Sequence, residues 1–407
     1  MNKKRVFIIT NGCDRRSLDS TRLDNFFKLN NCVIVKTEKT ADYIIFVTCC
    51  FKKTKEEECL REINKFLKCK GELIIIGCLP DISPNRLKEV FKGRIIETRN
   101  LDQIDALFND FKVKFNSVPD AHFLYQVPIP LLQRFVSKFV FIKGILEKCL
   151  RHGAMLRRVL SLRFITQYIK LKTKKVVLRI SSGCLECCAY CTIFRAVGRL
   201  KSKKINECVR EYSLLLKQGY RNFELNADNL GAYGLDFGST FPELLKSLSE
   251  VDKGLSVSWA LYGLDPKWAI KYNDFLSEYI VKGKIAYIIC PIQSGSNRIL
   301  ELMNRHYKIE EITEILIKFK KLQPKLRLDT QLIVGFPSET EKDFQETLDA
   351  VETIDFDAAL FFAYYEGHDS FSSGMSNKIP GEMILTRIRQ ALDLLQGKGI
   401  RCVASDY

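Results

Sequence analysis

Gly183-Cys184-Leu185-Glu186-Cys187-Cys188-Ala189-Tyr190-Cys191 sets Cys184, Cys188 and Cys191 in a C-x3-C-x2-C spacing, directly after an apolar run at 176–180. Three thiolates on one short loop can hold three irons of a 4Fe–4S cluster, leaving the fourth iron open. Cys187 falls outside the spacing and is not assigned as a ligand. Downstream, β-rich runs at 222–225, 256–261, 285–289, 328–334 and 358–364 alternate with helical patterns. With the run at 176–180 they make six strand–helix units. That count predicts a partial, TIM-like (β/α)6 barrel over 174–396, whose last helix spans about 384–396, followed by a short tail at 397–407.

Upstream, the first hundred residues carry their own strand–helix rhythm. Runs at 6–10, 43–47 and 73–76 read as buried strands, with a helix from about Leu18 and a Lys/Glu-rich helix over 52–68. Continuous apolar strands between helices predict an α/β domain with a doubly wound parallel sheet over 1–100. Ligands in such sheets collect beyond the C-terminal strand ends. A cysteine stands at each of the three: Cys13, Cys49 and Cys78. Cys50 adjoins Cys49, so by spacing either thiol could serve there.

Composition bounds the rest. The chain has 407 residues, 46% of them hydrophobic and 11% aromatic, which excludes wholesale disorder and suits two or three domains. Fifteen cysteines are too many and too odd in number for a disulfide framework, and four histidines argue against a His-rich zinc site. No apolar run reaches the roughly 20 residues of a membrane-spanning helix. The N-terminus shows no cleavable leader, so a cytoplasmic location is expected. The net charge is +16, and residues 131–180 hold thirteen Lys and Arg against one acid, Glu147. This basic linker or insertion, bounded at 101–173, reads as a solvated amphipathic segment, an arm for an anionic substrate or a membrane-surface helix.

The cysteine loop, with Tyr190 in the usual aromatic slot, resembles the radical S-adenosylmethionine superfamily. Asn11-Gly12-Cys13 with Asp19-Ser20, Thr48-Cys49 and Gly77-Cys78-Leu79 resemble the N-terminal domain of its methylthiotransferases. Asp228-Asn229-Leu230-Gly231-Ala232-Tyr233-Gly234 is similar in wording to the branch acting on tRNA threonylcarbamoyladenosine. Pro291-Ile292-Gln293-Ser294-Gly295-Ser296, Met303-Asn304-Arg305-His306-Tyr307 and Ile333-Val334-Gly335-Phe336-Pro337-Ser338-Glu339-Thr340-Glu341 resemble the family's later strand-end motifs. The resemblance covers about 5–100 and 176–395. It implies one 4Fe–4S cluster on Cys184, Cys188 and Cys191 and a second on Cys13, Cys49 and Cys78, with Cys49 preferred to Cys50. It also implies S-adenosylmethionine contacts from Tyr190, Asp228, Gln293, Ser294, Gly335 and Glu339, and an electron donor of the reductase or flavodoxin type. The implied reaction is methylthio insertion at an unactivated C–H bond, with a tRNA adenosine near the anticodon as the lead substrate.

Four departures mark the chain. Val197-Gly198 replaces the usual Arg-Gly, and Tyr364-Tyr365-Glu366-Gly367-His368-Asp369 replaces the family's Tyr-Ser and Arg-Pro-Gly-Thr run. The linker is long and basic. The sequence stops at Tyr407, so no C-terminal RNA-gripping β-barrel (the TRAM domain) is expected. These changes keep open a methylthiotransferase or other radical sulfur-insertion enzyme acting on a peptide, protein or small molecule. A reading of another class is an inactive iron–sulfur binding or sensing protein, against which the intact motifs at 291–296 and 333–341 stand.

Overall fold

The computed structural model describes residues 3–126, 176–367 and 369–405. Most of the basic segment 131–180 lies outside these residues, as does His368. Five strands, β1 (Arg5–Thr10), β2 (Val33–Ile34), β3 (Tyr43–Thr48), β4 (Glu72–Gly77) and β5 (Arg94–Glu97), form a parallel sheet in the order β2-β1-β3-β4-β5. Alternate residues of the central strands feed cores on both faces. Phe7, Ile44, Phe46 and Ile75 meet Cys59, Ile63 and Phe66 of the helix Lys53–Phe66. Val6, Ile8, Ile45, Ile74 and Ile76 meet Leu23, Phe26 and Phe27 of the helix Asp14–Leu29. Covered faces explain the unbroken apolar runs.

Residues 101–126, expected to begin the linker, instead close this second core. Phe108 lies 5.1 Å from Phe27 and Phe111 lies 5.5 Å from Phe26, ring centre to ring centre. Short helical turns rather than strands carry these rings, so the stretch has no strand–helix rhythm to read.

The second sheet is parallel, in the order β6 (Val176–Arg179), β9 (Asn222–Asn226), β10 (Ser258–Tyr262), β11 (Ile285–Ile289), β12 (Arg327–Val334), β13 (Ala358–Ala363) and β14 (Arg401–Ser405). A small antiparallel ribbon, β7 (Ser181–Ser182) with β8 (Lys201–Ser202), brackets the cysteine loop. The six expected strands are present and a seventh is added. The sequence predicts only a tail over 397–407, yet Arg401–Ser405 pairs in parallel with β13. It is an edge strand with Cys402 buried and Val403 exposed, so it lacks the apolar run of its buried neighbours.

The C-terminal strand ends of the two sheets meet across a polar seam. Asp19 accepts from Arg179 Nη1 at 2.8 Å, and Arg179 Nη2 donates to the Arg15 carbonyl at 2.8 Å. Tyr365 donates to buried Glu56 at 2.9 Å, and Arg99 donates to the Arg195 carbonyl at 3.0 Å.

Candidate active site at the seam

The N-terminal cysteines converge from three elements. Cys13 precedes the helix Asp14–Leu29, Cys49 follows β3, and Cys78 follows β4. Gly77 lies at φ +116, where a Cβ would stand 2.3 Å from the Thr48 carbonyl oxygen, so only glycine lets β4 turn Cys78 inward here. Asn11 Oδ1 accepts from the Cys49 amide at 3.2 Å. Cys49 hydrogen-bonds both Cys13 and Cys78, which lowers the pKa of those two thiols and raises that of Cys49. Cys50 points into the apolar core instead, and burial pushes its thiol far up. Of the adjacent pair, Cys49 joins the triad.

The barrel cysteines lie on one loop. Gly183, at φ +81, would bring a Cβ within 2.0 Å of the Arg199 carbonyl, so the ribbon closes only around glycine. The Cys184 amide donates to the Gly198 carbonyl at 3.1 Å, the Cys191 amide to that of Cys188 at 3.0 Å, and the Ala189 amide to that of Met303 at 2.9 Å. Burial raises Cys184 to about 12 and Cys191 to about 11. Arg305 Nη1 donates to Cys188 Sγ at 3.3 Å while Nη2 pairs with Asp265 at 2.7 Å. Cys187 is exposed and takes no part in this network with its thiol.

Asp228 joins the two sites. Its side chain, 6% exposed, accepts from Arg15 Nε at 2.7 Å and from the Gly183 amide at 2.9 Å. Arg15 lies two residues after Cys13 and Gly183 opens the barrel loop, so one carboxylate ties both. The other residues expected at the cofactor have mixed settings. Tyr190 is partly buried in a cluster with Phe336 and Ile333. Gln293 sits at φ +62, its amide and carbonyl held by the β12 backbone. Ser294 is buried against Thr347. Glu339 is buried, receives the Gly335 amide and Arg387 Nη1, each at 2.8 Å, and is pushed up to about 7 by burial. Ser294 and Glu339 thus frame their loops with their side chains. Arg15, Arg16 and Arg179 were not anticipated; two of them follow Cys13 in sequence, and that adjacency was the signal. Arg305 stood inside a quoted motif.

The donor chemistry fits clusters rather than single ions. Among the described residues no three His, Cys, Asp or Glu side chains are set around one metal ion. A 4Fe–4S cluster spreads its cysteine ligands over several irons. Beside each triad lies a buried arginine with open donors: Nε and Nη1 of Arg16, and Nε of Arg305. A soft anionic body between the thiols supplies acceptors for such groups.

Comparison with known proteins agrees. Residues 5–96 match the family described as Uncharacterized protein family UPF0004, and residues 178–351 match the Radical SAM superfamily. A tRNA-2-methylthio-N(6)-dimethylallyladenosine synthase of Clostridium botulinum is 30% identical over 96% of this chain and 81% of its own length. A probable threonylcarbamoyladenosine tRNA methylthiotransferase of Pyrococcus abyssi is 27% identical over 95% of this chain and 82% of its own. Among solved structures, the radical S-adenosylmethionine methyltransferase TsrM of Kitasatospora setae aligns with a TM-score of 0.58, covering 88% of this chain and 75% of that one. At 10% identity, that likeness speaks for the fold alone.

Proposed function

Because the chain belongs to the radical S-adenosylmethionine methylthiotransferase family, whose cofactors are two 4Fe–4S clusters and S-adenosylmethionine, we propose that it transfers a methylthio group to a tRNA adenosine near the anticodon. Cys184, Cys188 and Cys191 hold one cluster in this reading, and Cys13, Cys49 and Cys78 the other. When bound, these groups supply hydrogen abstraction from a C–H bond and the sulfur that replaces the hydrogen. The protein's own part is placement. The single observation carrying the reading is Asp228, which bridges Arg15 beside one triad and the Gly183 amide of the other. A reaction that needs two sites in turn gains from their fixed relative position. Among the described residues no helix is long and apolar enough to cross a membrane. We place the reaction in the cytoplasm, with a reductase or flavodoxin-type electron donor.

The two relatives' names differ in the group on the adenosine, and identities of 30% and 27% do not separate them. The test is therefore mass spectrometry of tRNA nucleosides from cells expressing the protein and cells lacking it. A gain of one methylthio group in place of hydrogen on an N6-substituted adenosine is expected. Unchanged nucleosides in both would turn the substrate toward a peptide or small molecule.

A further inference from the structure

Arg16 carries two open donors beside the N-terminal triad, more than its protein surroundings satisfy. The side chain is 6% exposed, and its Nε and Nη1 have no hydrogen-bond partner. Its stem folds back against Gly12, where a Cβ would stand 2.3 Å from the Arg16 Cβ, so the chain hugs the Cys13 loop. Asp19 lies 3.1 Å from Nη2, but the same carboxylate accepts from Arg179 at 2.8 Å. Arg15, Arg16 and Arg179 thus share two directly paired carboxylates, Asp19 and Asp228, leaving one positive charge over. After Asp19, the charges acting most strongly on Arg16 are those of Cys78 and Cys13. A buried donor without an acceptor costs about 1–3 kcal/mol, and more when charged. An anion arriving beside the triad would remove that cost.

We propose that Arg16 is a positioning residue that holds an anionic sulfur ligand, a hydrosulfide or alkylthiolate, at the Cys13–Cys49–Cys78 site. The proposal rests on reading that triad as a cluster site. A hard oxyanion would meet one guanidinium already facing Asp19 and three thiols that offer it little. A soft sulfur anion gains from thiolate-bound iron and from one open guanidinium N–H together.

The test uses the full chain with Cys184, Cys188 and Cys191 changed to Ala and reconstituted with iron and sulfide, so that only N-terminal iron remains. Sodium hydrosulfide is the probe, followed through the electron paramagnetic resonance spectrum of the reduced cluster. Adding Arg16→Gln should raise the half-saturating hydrosulfide concentration at least about tenfold, the loss of one charged hydrogen bond. Arg16→Lys keeps the charge without the directed guanidinium N–H and should fall between the two. A hydrosulfide titration unchanged by Arg16→Gln, at full iron content, overturns the role of Arg16. If Arg16→Gln fails to load iron, Arg16→Lys decides: a weaker titration supports the role and an unchanged one overturns it. If the parent triple variant itself holds no iron while folded, the cluster reading falls first and the proposal with it.

Discussion

The N-terminal triad takes its cysteines from three separate strand ends, whereas the barrel triad takes all of its own from eight consecutive positions of one loop. In the first, the sheet register between β3 and β4 sets Cys49 beside Cys78, and the thiols share their protons through hydrogen bonds. The hydrogen bonds lower the pKa of Cys13 and Cys78. In the second, burial acts in the opposite direction. Burial holds Cys184 and Cys191 well above the ordinary thiol value, so their protons leave only when metal replaces them. The strand-end site is preorganised by the sheet; the loop site depends on a two-residue ribbon and a glycine.

Separate scaffolds imply separable functions, and this can be broken directly. Changing Cys184, Cys188 and Cys191 together to Ala should abolish both S-adenosylmethionine cleavage and product, while leaving about four irons on the folded protein. Loss of all iron would show that the sites are not independent. The reciprocal change of Cys13, Cys49 and Cys78 should leave reductive cleavage running without methylthio product. Product formation at the parent rate by that variant would refute a sulfur-donating role for the strand-end site.

A smaller change probes the loop's dependence on its ribbon. Gly183→Ala places a methyl against the Arg199 carbonyl at a backbone angle that disfavours alanine. Iron analysis should show about half the parent content, lost from the barrel site alone. The matching substitution on the other side, Gly77→Ala, disturbs the last β3–β4 register position, Thr48 with Gly77, while the pairing from Tyr43 with Glu72 through Val47 with Ile76 persists, and should lose less iron. Equal losses would erase the distinction between loop and sheet.

How far the sequence revealed this follows from the same contrast. Both cysteine sets were legible because spacing and strand ends are local features. The parallel sheets were legible because buried strands are continuous apolar runs. Residues 101–126 were misassigned because Phe108, Phe111 and Phe115 dock through turns that have no period. The edge strand Arg401–Ser405 was missed because Arg401 and Val403 face solvent and break the apolar run. The seam was invisible for another reason: Arg15 and Asp228 are 213 positions apart, and nothing local marks an ion pair that folding creates.

The smallest effect tests whether the N-terminal unit braces the barrel loop. Asp120 pairs with Arg22 of its own unit at 3.1 Å and with Lys203, next to β8, at 2.9 Å. Burial alone would raise this carboxyl, but Lys203, Arg179 and Arg22 outweigh it and hold the value at about 2 against an ordinary 3.8. A lowered carboxylate stabilises the fold above its unfolded value and loses that contribution as pH falls through its folded value. Asp120→Asn should therefore cost about 2 kcal/mol near neutrality, by the usual conversion of a shift of this size. Anaerobic urea unfolding of parent and variant should converge as pH falls from about 5 toward 2. A stability difference that stays constant across that window would mean that Asp120 packs at the seam without carrying its charge there.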